Sequence, residues 1–160
     1  MLTIAIAARV SIDVGNIPIT GQTLAILAWA FFLSPVESLV VISGYLVLGF
    51  IGLPVFADGE SGFDKLFGGS GGYLIGFLIA SIIVSWLNQK WRVNSFSSIL
   101  VLTLIGTIII LVFGVGRLIT IYDLQKGIQY GFLPFWKGAL IKIILGSFIV
   151  WRIKKLLAKR

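Results

Sequence analysis

Four stretches of this chain contain no Asp, Glu, Lys or Arg: Val14 to Val36, Ser38 to Ala57, Leu66 to Gln89 and Val93 to Gly116. Each runs for 20 to 24 residues, and a helix needs about 20 mostly apolar residues to cross the hydrocarbon core of a bilayer. This feature predicts a polytopic membrane protein and excludes a globular fold in water. The composition agrees, with 58% hydrophobic and 12% charged residues and a mean hydropathy of +1.07. Cysteine and histidine are both absent, which removes disulfides, thiolate metal sites, the commonest general base and the commonest metal ligand. No catalytic residue, metal site or cofactor is therefore expected.

The charges predict an orientation. Five of the 13 basic residues lie in the tail from Arg152 to Arg160, and Lys90 and Arg92 lie in the connector Asn88 to Asn94. With alternating spans these seven share one side with a single acid, Glu37. The other side holds Lys65, Arg117 and Lys126 against Asp58, Glu60, Asp64 and Asp123. Excess Lys and Arg marks the cytoplasmic side, so the C-terminus is expected inside. The basic tail continues an apolar helix and suits anionic lipid, not nucleic acid.

The stretch Ile19 to Gly52 would measure about 51 Å as one helix against a core of about 30 Å, so it must fold back. Ser34-Pro35 is the expected turn. A Gly-rich loop, Leu53 to Gly71, then falls on the outer face, where its length suits a lid or binding loop. Further spans are expected over Gly72 to Leu87 and Ser95 to Val115, with an outer loop over Gly116 to Phe132 and a last span beginning near Pro134. Met1 to Val14 extends only about 21 Å as a helix and reads as half a span, missing its cytoplasmic end. No signal peptide is needed to explain it. The expected fold is an all-α membrane protein: a six-helix transmembrane bundle with a truncated first helix, one domain over residues 1–160, and outer loops capping a ligand pocket.

Within the spans, Lys142 demands a reason, because a lysine at a helix centre costs roughly 2.5 to 3.5 kcal/mol on the insertion scale. Helical spacing puts Phe135, Gly138 and Ala139 on its face, leaving a hollow above the ammonium that suits a small polar or anionic solute. A structural pairing with Asp13 is the competing explanation. Lys137 is expected to snorkel to the interface. Thr20 is placed to cap the second span, while Gln22 and Thr23 offer an amide and a hydroxyl at its outer end. Tyr73 sits at the outer mouth, as an interfacial ring or a ligand contact. Gly72 and Gly76 form a small-xxx-small helix contact, and Arg9 and Asp13 are spaced to satisfy one another. Gly68 to Phe77 lacks the spacing of a phosphate loop. The candidate ligand-binding residues are Gln22, Thr23, Tyr73, Ala139 and Lys142.

Four ordered blocks carry a family resemblance: Ile17-Pro-Ile-Thr-Gly-Gln-Thr-Leu-Ala25, Gly49-Phe-Ile-Gly-Leu-Pro-Val-Phe-Ala57, Gly71-Gly-Tyr-Leu-Ile-Gly-Phe77, and Gly131-Phe-Leu-Pro-Phe135 leading to Lys142. Together they resemble the BioY family, the biotin-specific S components of energy-coupling factor (ECF) vitamin transporters. The resemblance implies six transmembrane helices with biotin bound near the outer face. It also implies partners on separate chains, a membrane T component and two ABC-type ATPases. The family usually has Pro-Gly-Asp-Leu-Leu-Lys where this chain reads Lys137-Gly-Ala-Leu-Ile-Lys142. Lys142 matches, but Ala139 stands where the resemblance implies an Asp that holds biotin's ureido group. The small-residue face expected on the first helix for docking the T component is also missing, with no AxxxA pattern in Met1 to Val14.

The leading expectation is a membrane-embedded biotin-binding subunit for uptake. Ala139 keeps open a second ligand, another carboxylated vitamin such as lipoate. A non-transport membrane assembly protein is the alternative from another class, and an intramembrane enzyme would have only Lys142, Arg9 and Asp13 to work with.

Overall fold

In the computed structural model, which describes residues 1–12 and 19–158, the protein is essentially all-helical. Eight α-helices occupy the described residues: α1 (Leu2–Ala8), α2 (Gln22–Ala30), α3 (Pro35–Phe50), α4 (Phe63–Phe67), α5 (Gly71–Trp91), α6 (Phe96–Ile121), α7 (Leu124–Gly131) and α8 (Trp136–Leu157). Two helices, α5 and α6, are long and apolar enough to cross a membrane, and the α7–α8 pair, bent by 45°, makes a third span if counted as one. The chain is a multi-pass membrane protein.

The fold-back at Ser34-Pro35 is present, and its local chemistry explains it. Ser34 has extended backbone and accepts the Glu37 N–H at 3.2 Å, while the Glu37 carboxylate accepts the Ser34 N–H at 2.7 Å. This reciprocal cap, with Pro35 at the first helical position, stops one helix and starts the next. The resulting helices are shorter than the hydropathy suggested, since α2 covers nine residues and α3 sixteen.

Four expectations need correction. Met1 to Val14 is not one helix: α1 ends at Ala8, and Ser11–Ile12 pairs antiparallel with Ile19–Thr20 in a two-stranded ladder, β1 and β2, so the chain is not purely α. The helix does not continue because the Val10 carbonyl accepts the N–H of Gly21 at 2.9 Å, next to that ladder. Gly116 to Phe132 is not a loop: α6 runs on to Ile121, and α7 follows at once, its first turn capped by the Asp123 carboxylate on the Lys126 N–H at 2.7 Å. Leu53 to Gly71 is not bare loop either, holding α4 and a single 3-10 turn over Ala57–Gly59. The last helix starts at Trp136, two residues past Pro134, because Phe132 accepts the N–H groups of both Phe135 and Trp136 and closes a turn there first.

Small residues let the long helices approach. A Cβ on Gly72 would lie 2.3 Å from the Phe113 carbonyl oxygen, and one on Gly76 would lie 2.9 Å from the Ile110 Cα, so α5 and α6 touch backbone to backbone as the small-xxx-small spacing predicts. The core between α2, α5 and α6 is filled by Ile26, Leu27, Ala80, Val84, Ile99 and Leu102, all buried. The opposite faces of α6 and α8 expose Val101, Leu104, Ile108 and Val112, and Leu140, Ile141, Ile144 and Leu145. In water such a surface would aggregate; in a bilayer it meets hydrocarbon.

The helices alternate in direction, which gives the molecule two distinct ends. At the basic end, Lys154 of α8 donates to the Asn88 side-chain carbonyl at 2.7 Å and to the Val93 carbonyl at 2.6 Å. Asn88 in turn donates to the Phe31 carbonyl at 3.1 Å. Asn88 thus satisfies the carbonyl left over where α2 ends, and the ammonium satisfies one just past the end of α5. At the other end the loops gather, and there the molecule opens.

Candidate functional site

The start of α2 is organised by a relay of side chains. Thr20 donates its hydroxyl proton to the Gln22 side-chain oxygen at 2.8 Å and accepts the Gln22 N–H at 3.3 Å. The amide nitrogen of Gln22 donates to the Tyr45 hydroxyl, which donates onward to the Val55 carbonyl at 2.7 Å. This chain ties α2 to α3 and to the loop beyond it. Thr20 therefore does serve the helix start, although Gly21 occupies the cap position itself. Gln22 is 4% exposed, and its amide is committed on both sides to protein partners. It retains one N–H and one lone pair for anything else.

Tyr73 is buried rather than interfacial, at 8% exposure. Its hydroxyl donates to the Gly131 carbonyl at 2.7 Å, joining α5 to the end of α7. The ring occupies a seat made by Gly114, where a Cβ would lie 2.2 Å from the ring carbon Cε1. Phe135 leans against it with ring centroids 5.6 Å apart. Phe56 is seated in the same manner on Gly49, whose missing Cβ would fall 2.1 Å from Cζ.

Between these elements lies a cavity that opens at one end of the molecule. All five sequence-predicted residues, Gln22, Thr23, Tyr73, Ala139 and Lys142, border it. Phe56, Leu74, Phe77, Ile110, Leu111 and Phe135 supply apolar wall, and Thr107 adds a hydroxyl from α6. Ala57, Glu60, Lys65 and Ser70 close over it from the segment between α3 and α5. Apolar walls with a few convergent polar groups are the usual makeup of a small-molecule site.

Lys142 marks the floor, because it also borders a smaller space beneath, shared with Thr23, Thr103 and Thr107. Its ammonium donates to the Thr20 carbonyl at 2.9 Å. Among the described residues no carboxylate lies within 4 Å of it. The competing explanation, a pairing with Asp13, concerns a residue outside the described ones. So does the Arg9–Asp13 pairing; Arg9 itself donates to the Pro54 carbonyl at 3.0 Å. Lys137 is exposed, with its nitrogen 5.5 Å from the Trp136 ring centre, as a snorkelling lysine should be. Gly138, expected beside Lys142, does not border the cavity; Phe135 and Ala139 do.

Sequence reasoning placed Phe135 on the Lys142 face and a lid over the pocket, but it did not single out Thr107 or Phe77, nor Glu60 and Lys65 within that lid. Thr107 is one of many hydroxyls in apolar helices, and its side chain back-bonds to Thr103 at 2.8 Å as a purely structural threonine would. Nothing in the sequence distinguishes it.

The architecture defines a class: a small multi-pass membrane protein with a largely apolar cavity at one end and an ammonium without a carboxylate partner, among the described residues, at its floor. Residues 1–159 match the BioY family, and the chain belongs to it. A relative called biotin transporter BioY from Thermotoga maritima is 35% identical over 158 residues, covering 98% of this chain and 92% of the relative. Biotin transporter BioY2 of Lactococcus lactis is 35% identical over 144 residues, 89% of this chain and 79% of its own length. A crystal structure of the S-component for biotin from an ECF-type ABC transporter superposes with a TM-score of 0.87 at 27% identity, over 96% of this chain and 86% of that one.

Proposed function

We propose that this protein is the membrane-embedded biotin-binding subunit of a biotin uptake system. The observation that carries the reading is the cavity with Lys142 at its floor, in a chain of the BioY family. An ammonium held by a single carbonyl has donors to spare, and donation from a charged group is roughly twice as strong as from a neutral one. Biotin's ureido oxygen is a strongly dipolar neutral acceptor. Set on Lys142, it needs no carboxylate to be stripped of water at depth. The thiophane ring then lies against Phe77, Ile110 and Phe135, where apolar burial contributes about 25 cal/mol per Å².

Ala139 leaves the ureido N–H groups without the Asp that the family pattern places there. Other acceptors are at hand. The Thr23 hydroxyl makes no hydrogen bond among the described residues, Thr107 keeps free lone pairs, and the Gln22 oxygen keeps one. Three neutral acceptors take the place of one charged one, with Ala139 giving the room. Gln22, Thr23, Tyr73, Ala139, Lys142 and Thr107 are the proposed ligand-binding residues, Tyr73 and Ala139 by shape and the others by hydrogen bonds.

The six helices α1, α2, α3, α5, α6 and α8 form the transmembrane bundle, with α4 and α7 as caps. The cavity faces outward and the basic end, with the C-terminus, faces the cytoplasm, since Lys90, Arg92, Arg152, Lys154 and Lys155 gather there. The whole chain forms one transmembrane domain. It hydrolyses nothing itself; transport is driven by separate ECF chains, a T component and two ABC-type ATPases. Equilibrium binding of labelled biotin to the purified chain in detergent tests the reading. Saturable binding that biotin displaces and lipoate does not is the expected result. Absence of saturable biotin binding by folded protein overturns it.

A further inference from the structure

Two cations border the cavity among the described residues, and they occupy different levels. Lys142 is at the floor, where it also borders the space beneath. Lys65 is at the rim, on α4, with its side chain 38% exposed and its ammonium paired with the Glu60 carboxylate. Glu60 is the single carboxylate bordering the cavity among the described residues. None of the other basic side chains at this end borders the cavity: Arg9 donates to the Pro54 carbonyl, Arg117 donates to the Phe67 and Gly68 carbonyls, Lys126 pairs with Asp123, and Lys137 lies over the Trp136 ring.

The rim pair is held in place by main-chain bonds rather than by the pair itself. The Phe56 N–H donates to the Glu60 carbonyl at 3.0 Å, the Glu60 N–H to Ala57 at 2.9 Å, and the Gly62 N–H to Gly49 of α3 at 2.8 Å. The tight path needs positive φ at Asp58, Gly59 and Gly62. The Glu60 main chain is thereby fixed in a turn that Gly62 ties to α3, while Lys65 reaches the carboxylate through a flexible four-carbon stem. A second anion arriving at the mouth competes with Glu60 for the same ammonium.

We infer that Lys65 is the residue that reads the free carboxylate of the ligand, which displaces Glu60 from it at the rim. The inference rests on biotin being the cargo with its ureido ring at Lys142. That placement leaves the valerate tail pointing to the mouth, with its carboxylate in the half-solvated region where a surface charge costs little to bind. Glu60 then acts as an internal competitor that holds Lys65 at the mouth until an acid replaces it. The pocket distinguishes an acid from its neutral isostere, and the distinction belongs to one side chain.

Binding of biotin and of biotinamide, in which a neutral amide replaces the carboxylate, separates the possibilities. The full chain should prefer biotin by about fivefold, a half-exposed charge pair being worth roughly that. In Lys65→Met the two ligands should bind within twofold of one another, with biotinamide unchanged. Lys65→Arg should keep the preference. Glu60→Gln should tighten biotin about threefold and leave biotinamide unchanged. A preference that survives intact in Lys65→Met, or a Glu60→Gln variant that weakens biotin, overturns the inference while leaving the biotin site standing. Failure of the unmodified chain to bind either ligand overturns the site itself.

Discussion

Replacing Lys142 with Met separates a lysine kept for binding from one kept for the fold. Met preserves the length of the side chain and removes the charge. Two terms then oppose each other in stability. A lysine in a span costs up to about 3 kcal/mol, and its removal relieves the part of that cost which the cavity does not already relieve. Against this, the bond from the ammonium to the Thr20 carbonyl at 2.9 Å is lost, and hydrogen bonds to charged groups contribute about 1.5 to 3 kcal/mol. The two nearly cancel. The melting temperature of Lys142→Met is therefore expected to stay within a few degrees of the parent, at roughly 2 to 4 °C per kcal/mol for a chain of this size. Binding has no such cancellation, because the ureido oxygen loses its charged donor outright. A loss of about 1.5 to 3 kcal/mol corresponds to a 10- to 150-fold weaker affinity for biotin. Thermal unfolding followed by tryptophan fluorescence and equilibrium binding on the same preparation read the two quantities. Lys137→Met is the control, since that lysine is exposed beside Trp136 and outside the cavity. A Lys142→Met protein that melts 10 °C lower and binds biotin as before would refute the argument and make the lysine a structural element.

Ala139→Asp restores the family residue one turn before Lys142 and should leave biotin binding equal or tighter, with lipoate unaffected or weaker; a folded variant that loses biotin contradicts the alignment of α8 with the family. Gly114→Ala puts a methyl group 2.2 Å from Cε1 of Tyr73, so the ring must move and break its bond to Gly131; a cost of about 1 to 3 kcal/mol in stability is expected, together with loss of biotin affinity, and an unchanged binding isotherm would show that the Tyr73 wall is not part of the site. Lys154→Met removes the two carbonyl contacts at the basic end and should lower the melting temperature by several degrees while biotin affinity stays within twofold, which the same pair of assays checks.

Some of this molecule is determined by sequence alone. Membrane residence follows from four mostly apolar stretches of 20 to 24 residues without a charge, each long enough to reach across a bilayer core. The reversal at Ser34-Pro35 follows too, since Pro35 and the Ser34–Glu37 cap act within four residues and need no distant partner. The same holds for the close α5–α6 approach, which needs Gly72 and Gly76 on one helical face. The gathering of Gln22, Thr23, Tyr73, Ala139 and Lys142 at one end was legible because alternating spans fix depth. Depth and face are what helical spacing gives.

Rotation about the helix axes and the paths of connectors are set by partners far away in the chain. Gln22 points at a tyrosine 23 residues on, and Tyr73 gives its hydroxyl to a carbonyl 58 residues on, so amide and phenol serve the frame as well as the cavity. α1 stops at Ala8 because a strand ladder with Ile19–Thr20 competes for the backbone that a longer helix would use. Thr107 becomes a cavity hydroxyl only through the packing of α6 against its neighbours, and the rim pair Glu60–Lys65 forms where the Gly49 carbonyl of α3 holds the Gly62 N–H of the segment that joins the two residues. Local chemistry chooses the helices and their depth; the long-range hydrogen bonds and the glycine seats decide which side chains face the cavity.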